Sequence, residues 1–175
     1  MKTQAQTSWG SLHWLWLSLV IILADLGTKW LALEHLQYAQ PVPILPIFDL
    51  TLLYNYGAAF SFLADAGGWQ RWFFALIALG VSAVLLVWLK RTPRQEWWLA
   101  LALASILGGA LGNLYDRIMH GYVVDFISLH YGGWYFPAFN LADTAITLGA
   151  AILILDMLFF AERRAASEKT IEDSK

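Results

Sequence analysis

Four stretches of this chain, residues 12–33, 72–89, 97–115 and 138–160, are each long and apolar enough to cross the hydrocarbon core of a bilayer, which takes about 20 mostly apolar residues. The second and third contain no charged residue at all. A soluble helix can be apolar too, but 59% hydrophobic against 14% charged residues leaves almost no polar shell to wrap four of them. The sequence therefore predicts an all-α membrane protein, a four-helix bundle forming a single domain over 1–175. Lys2 precedes the first stretch in the manner of a secretion signal. Yet the stretch runs on through Asp25 and Lys29 with no small-residue cleavage site, so it is expected to remain as the first helix. Cysteine is absent, which removes disulfide and thiolate–metal chemistry, and a net charge of −2 speaks against a nucleic-acid partner.

Basic residues suggest an orientation. Lys2 precedes helix one, Lys90, Arg91 and Arg94 lie between helices two and three, and Arg163, Arg164, Lys169 and Lys175 follow helix four. The other two connections carry only Arg71 and Arg117, so both termini are expected in the cytoplasm and segments 34–71 and 116–137 outside. The first outer segment opens with Pro41, Pro43 and Pro46, which forbid a helix. Residues 48–56 are mostly β-branched, aromatic or aliphatic and predict one or two short strands within an outer, partly interfacial segment over 41–69. Helix three carries Ala100, Ala104, Gly108 and Gly112, with Ser105 and Gly109 beside them, a register of small side chains that lets another helix come close. No internal repeat is apparent, which leaves an inverted-repeat transporter unsupported. The tail, 163–175, is polar.

Ionisable groups inside spans are costly and usually face a bundle interior or water. Asp25 and Lys29 stand four apart on helix one and can neutralise one another. Asp156 lies near the cytoplasmic end, within expected reach of headgroups or Arg163. The remaining polar residues converge on one depth at the outer side: Asp25 and Lys29 from helix one, Asn113, Asp116 and Arg117 from helix three, Asn140 and Asp143 from the head of helix four, and Asn55 and Asp125 from the outer segments. Two carboxylates placed close together cannot both ionise readily, so they share a proton. The ionised partner can then take a proton from water while the protonated one polarises a carbonyl, which is the logic of aspartic proteolysis. Competing catalysts are scarce: there is no cysteine and no H-E-x-x-H zinc motif, and His120 and His130 suit interfacial positions.

The stretches "DLGTKW" at 25–30, "NYGAAFSFL" at 55–63, "GGALGNLYDRIMHGYVVDFI" at 108–127 and "FNLADTAI" at 139–146 together resemble the bacterial lipoprotein signal peptidases, or signal peptidase II family. They frame nearly the whole chain. The resemblance implies an aspartic endopeptidase of the bacterial inner membrane with four helices and an outer β-cradle. It implies Asp125 and Asp143 as the catalytic pair, Asn55, Asn113, Arg117 and Asn140 around the substrate, and Asp25, Lys29 and Asp116 as supporting polar residues, with no metal and no cofactor. The implied substrates are prolipoproteins whose cysteine already carries diacylglycerol, cleaved just before that cysteine. The implied inhibitor is globomycin. Membrane lipids are the remaining expected partner.

Such a scissile bond lies at the membrane surface, which accounts for carboxylates at that depth. The loop "SLHYGGWYFPAF" turns the chain back and brings Asp125 towards Asp143, with Trp134 and Tyr135 suited to the headgroup zone. Segment 55–69 is expected to cover the site, as a moving lid or a fixed cap. Arg117 either pairs with Asp116 or holds a polar group of the substrate. Two other functions fit parts of the pattern: a Mg²⁺-dependent lipid phosphotransferase using Asp116, Asp125 and Asp143, and a non-enzymatic proton or ion pathway.

Overall fold

The computed structural model describes residues 9–57 and 67–159. Most of the expected cover over the site, the polar tail and Lys2 lie outside the described residues. Each expected span is a helix, because a backbone in lipid can satisfy its polar groups only within itself. The helices are α1 (Leu15–His35), entered through a 3₁₀ turn at Leu12–Trp14, α2 (Gln70–Arg91), α3 (Trp97–Met119) and α4 (Leu141–Phe159). All four have the length and mean hydropathy of membrane spans, and the protein is a multi-pass membrane protein.

The helix ends have local causes. Thr92, which follows α2, is extended at ψ 123°, the conformation that Pro93 imposes on the residue before it. α3 runs past residue 115, where the apolar stretch ends, because Asp116 and Arg117 find partners inside the protein. α4 starts at Leu141 rather than 138, since Asn140 is its cap.

α3 is the post of the bundle, and α1, α2 and α4 each pack along it. Its small residues face two partners at once. A Cβ on Gly108 would stand 2.9 Å from Ile21 Cβ, and one on Gly112 would stand 2.6 Å from Asp25 Oδ2, both on α1. Gly109, between them, is pressed against Ala142 O of α4. The stripe therefore lets two helices approach one backbone. Leu85 and Leu89 of α2 close a core with Leu99, Leu103 and Leu107 in the half of the bundle away from the polar residues. Leu23, Leu76 and Leu158 stay exposed on the outer faces of α1, α2 and α4, as lipid-facing side chains should.

A small sheet accompanies the four helices, as expected. An antiparallel sheet in the order β1 (Val42–Leu45), β2 (Phe48–Asn55), β3 (Val123–Tyr131), β4 (Trp134–Tyr135) covers one end of the bundle. Half of it comes from a region whose sequence suggested only a returning loop. β3 earns its conformation from partners far away in sequence: Asp125 pairs with Leu53 and Val124 with Tyr54. Alternation then sorts its side chains. Val124 and Phe126 pack with Leu52 on Ala32 near the end of α1, while Asp125 faces the other way, towards the start of α4.

Candidate active site

The site is built around the first turn of α4. Asn140 Oδ1 accepts the Asp143 N–H at 2.9 Å, and Asp143 Oδ2 accepts the Asn140 N–H at 3.3 Å, a reciprocal capping box. The N–H between them, on Ala142, is taken by Asp25 Oδ1 of α1 at 2.9 Å. Asp25 reaches it through the notch that Gly112 leaves in α3. Three donors that a helix start leaves unmatched are thus satisfied, and Asp143 is held by its own main chain.

Lys29 organises the other side. Its buried Nζ forms ion pairs with Asp25 Oδ2 at 2.7 Å and Asp116 Oδ2 at 2.9 Å and donates a hydrogen bond to Asn113 Oδ1 at 2.9 Å. An ammonium only donates, so it must face the oxygen of the Asn113 amide. The Asn113 Nδ2 is thereby turned to Asp143 Oδ1, which it meets at 2.7 Å. The same logic fixes Asn140: its oxygen faces the Asp143 N–H, and its Nδ2 donates to Asp125 Oδ1 at 2.8 Å. Asn55 Nδ2 donates to Asp125 Oδ2 at 3.1 Å. Asp116 Oδ2 accepts the Val124 N–H at 3.0 Å and so secures the strand that carries Asp125.

Asp125 and Asp143, eighteen positions apart in sequence, meet on one residue, Asn140. Burial pushes the Asp125 carboxyl up to about 7, and the neighbouring Asp143 charge adds to the effect; donors from Asn55 and Asn140 and the Lys29 cation pull against it. Near neutral pH this carboxyl is poised between its two forms.

Arg117 is not paired with Asp116, which Lys29 already holds. Its guanidinium donates to Asn113 O at 3.2 Å and Gly57 O at 3.1 Å and lies 5.5 Å from the centre of the Phe74 ring. Gly57 also donates its N–H to Asn55 Oδ1 at 3.1 Å, so Asn55 and Arg117 both grip the chain where the outer segment leaves β2. His120 stands 3.7 Å from Asp116 Oδ1, and His130 stands 3.2 Å from Asp49 Oδ2. Asp156 is 5% exposed, buried rather than turned to headgroups. Asp116, needed for a Mg²⁺ site with Asp125 and Asp143, is committed to Lys29 and the Val124 N–H instead. Among the described residues no three His, Cys, Asp or Glu side chains are grouped to hold a metal ion.

All nine residues singled out from sequence join one connected network. The signature of the family described as Signal peptidase (SPase) II matches residues 17–159, most of the chain. The chain belongs to the signal peptidase II family. It is similar to the lipoprotein signal peptidase of Pseudomonas fluorescens, with 61% identity over 150 residues that span 85% of this chain and 88% of that one. The lipoprotein signal peptidase of Acinetobacter baumannii is 56% identical over 154 residues, 88% of each chain. The fold is similar to that of a bacterial membrane enzyme solved by the in meso method at 2.3 Å resolution, with a TM-score of 0.76 and 27% identity over 83% of this chain and 87% of that chain. As a signal peptidase II member the protein is an aspartic-type peptidase. What the motifs did not reveal is the main-chain part of the site: Ala142, Val124 and Gly57 contribute backbone groups, and only the notch at Gly112 left a trace in sequence.

Proposed function

We propose that this peptidase removes the signal peptide from prolipoproteins whose cysteine carries diacylglycerol, cutting just before that cysteine with Asp125 and Asp143 as its catalytic pair. The observation that carries this is the meeting of the two carboxylates on Asn140, one from the sheet and one from the head of a membrane helix. The pair shares one proton, and the cycle runs with that proton starting on Asp125, whose carboxyl is raised. A water between them loses a proton to Asp143 as its oxygen bonds to the scissile carbonyl carbon, while Asp125 gives its proton to the carbonyl oxygen. The tetrahedral species then returns the hydroxyl proton to Asp125, and Asp143 passes its proton to the departing nitrogen as the C–N bond breaks. No covalent enzyme intermediate forms.

Asn113 and Asn140 orient the pair, Asn55 steadies Asp125, and Arg117 sits beside the substrate path. Asp25, Lys29 and Asp116 support them from the side. The sheet end faces the outer side of the cytoplasmic membrane, where a signal helix presents its cleavage bond near the surface; the basic residues at the opposite end and in the termini support this orientation. Globomycin is expected to occupy the same site.

The test is cleavage in vitro of a diacylglyceryl-modified prolipoprotein beside its unmodified precursor. Rapid cleavage of the modified form alone is the expected result, blocked by globomycin. Equal rates on both would refute the lipid requirement, and no cleavage of either would refute the assignment of substrate.

A further inference from the structure

β3 does not stand up from the bundle; it lies across its end. Val124 and Phe126 rest on α1, and Phe126 and Ile127 bond through their N–H groups to Phe139 O, one residue before the α4 cap. Beyond Ser128, still buried, the strand comes out of cover, with Leu129 and Tyr131 exposed. The β1–β2 turn overhangs with it, because His130 N–H donates to Ile47 O at 3.0 Å and Phe48 pairs with Leu129.

This overhang is apolar and bare. Tyr131 is 80% exposed, Trp134 65%, Leu45 58%, Tyr135 56% and Ile47 52%, and every residue of β1 is exposed. Residues 41–48 and 129–139 contain no Asp, Glu, Lys or Arg between them. The one histidine there, His130, is turned against Asp49. Exposed sheet edges in water are normally guarded by charge, and contiguous apolar surface of this kind marks a binding face. The hairpin is also a tight one: Gly132 and Gly133, at φ 58° and 83°, make a two-residue turn of the kind that holds strands rigidly. The face runs on through Phe136 and Phe139 into α4, which is itself a membrane span.

We infer that the overhanging rim of the sheet, made of the β1–β2 turn and the β3–β4 hairpin, is a second membrane contact, lying in the headgroup and upper acyl region of the leaflet at the sheet end. Its occupant is lipid. Aromatic side chains with one polar edge settle at that depth, and the missing charges are those that would keep a rim out of it. β3 is then tied to the bilayer on both sides of Asp125, through α3 before it and the rim after it, which sets the height of Asp125 against that of Asp143.

Because the chain has no cysteine, a single one can be introduced and labelled. Nitroxides at Trp134→Cys and, separately, at Tyr131→Cys are placed in the full-length protein in phospholipid nanodiscs. Leu148→Cys on the exposed face of α4 is the lipid reference, and Gln95→Cys in the α2–α3 turn is the water reference. Power saturation should show both rim labels relaxed more by oxygen than by a water-soluble nickel chelate, as at Leu148 and opposite to Gln95. Stronger relaxation by the chelate would put the rim in water and overturn the inference in favour of a free docking face. Shielding from both reagents with an immobilised spectrum would overturn it in favour of a contact with another protein chain. Agreement between the two label sites guards against a fault in either variant.

Discussion

The network contains two kinds of carboxylate pair, built side by side from the same residue type. Asp25 and Asp116 share a cation, Lys29, that touches both. Asp125 and Asp143 share only an amide, Asn140, with further amides behind. A carboxylate set against a cation has its charge matched and ties helices together. A pair whose direct hydrogen-bond donors are neutral keeps more of its mutual repulsion, which under the proposed mechanism leaves a proton to share. Under the proposed mechanism that difference divides framework from chemistry.

The sharpest break comes from removing the proton chemistry alone. Asp125→Asn and Asp143→Asn should each lower kcat about a thousandfold or more while leaving thermal stability in micelles essentially intact, as for groups that act as a catalytic unit. Appreciable turnover by either purified variant would sink the pair. Lys29→Met should do the opposite to stability, since it strands two buried carboxylates. Breaking such a buried pair costs about 3–5 kcal/mol, read as a loss of thermal stability that Asp125→Asn does not share. Equal stability of the two variants would erase the distinction drawn above.

Arg117→Lys tests the border between the halves. A lysine cannot span Asn113 O and Gly57 O together, so cleavage should fall about tenfold, the cost of one charge-assisted hydrogen bond. Near-normal activity would reduce Arg117 to a simple charge. Asn55→Ala sharpens the acid–base side. The pair loses its shared proton as pH rises through about 7, so the rate falls on the alkaline side. Asn55 favours the ionised form of Asp125, so its removal raises that carboxyl further and should move the alkaline limb upward by about half to one pH unit. A downward shift would contradict the bond. Smallest of all, EDTA should change the rate by less than about twofold, since carboxyls rather than a metal activate the water; strong inhibition reversed by Mg²⁺ would revive the phosphotransferase alternative.

The helices were legible because apolar length is a local signal, and so was the depth at which the polar residues gather. The sheet was only half legible. Residues 48–56 look like strand by composition, but 123–131 mix Asp, Ser and His into the run, and their pairing partners, Phe48 to Asn55, lie in a distant part of the chain. Partner choice was the least legible. Arg117 has Asp116 as its neighbour in sequence, yet Lys29 arrives from another helix and takes that carboxylate, leaving the arginine for main-chain carbonyls. Spacing along one helix cannot anticipate a competitor from a different one.

The central position of α3 also bears on how the molecule is assembled. By mean hydropathy it is the poorest of the four spans, 1.5 against 2.5 for α2, and 67% of its most apolar window is buried in the protein. Alone in lipid it would expose Asn113, Asp116 and Arg117 together with a bare strip of glycine backbone. α1, synthesised earlier, enters with Asp25 and Lys29 already matched on one face, and the same ammonium has protons to spare for Asp116 when α3 arrives. Asp143 comes last, at the head of a helix whose Ala142 amide is awaited by Asp25. Translation order and polar pairing thus run in step for α3 and α4, each of which finds its counter-group on α1.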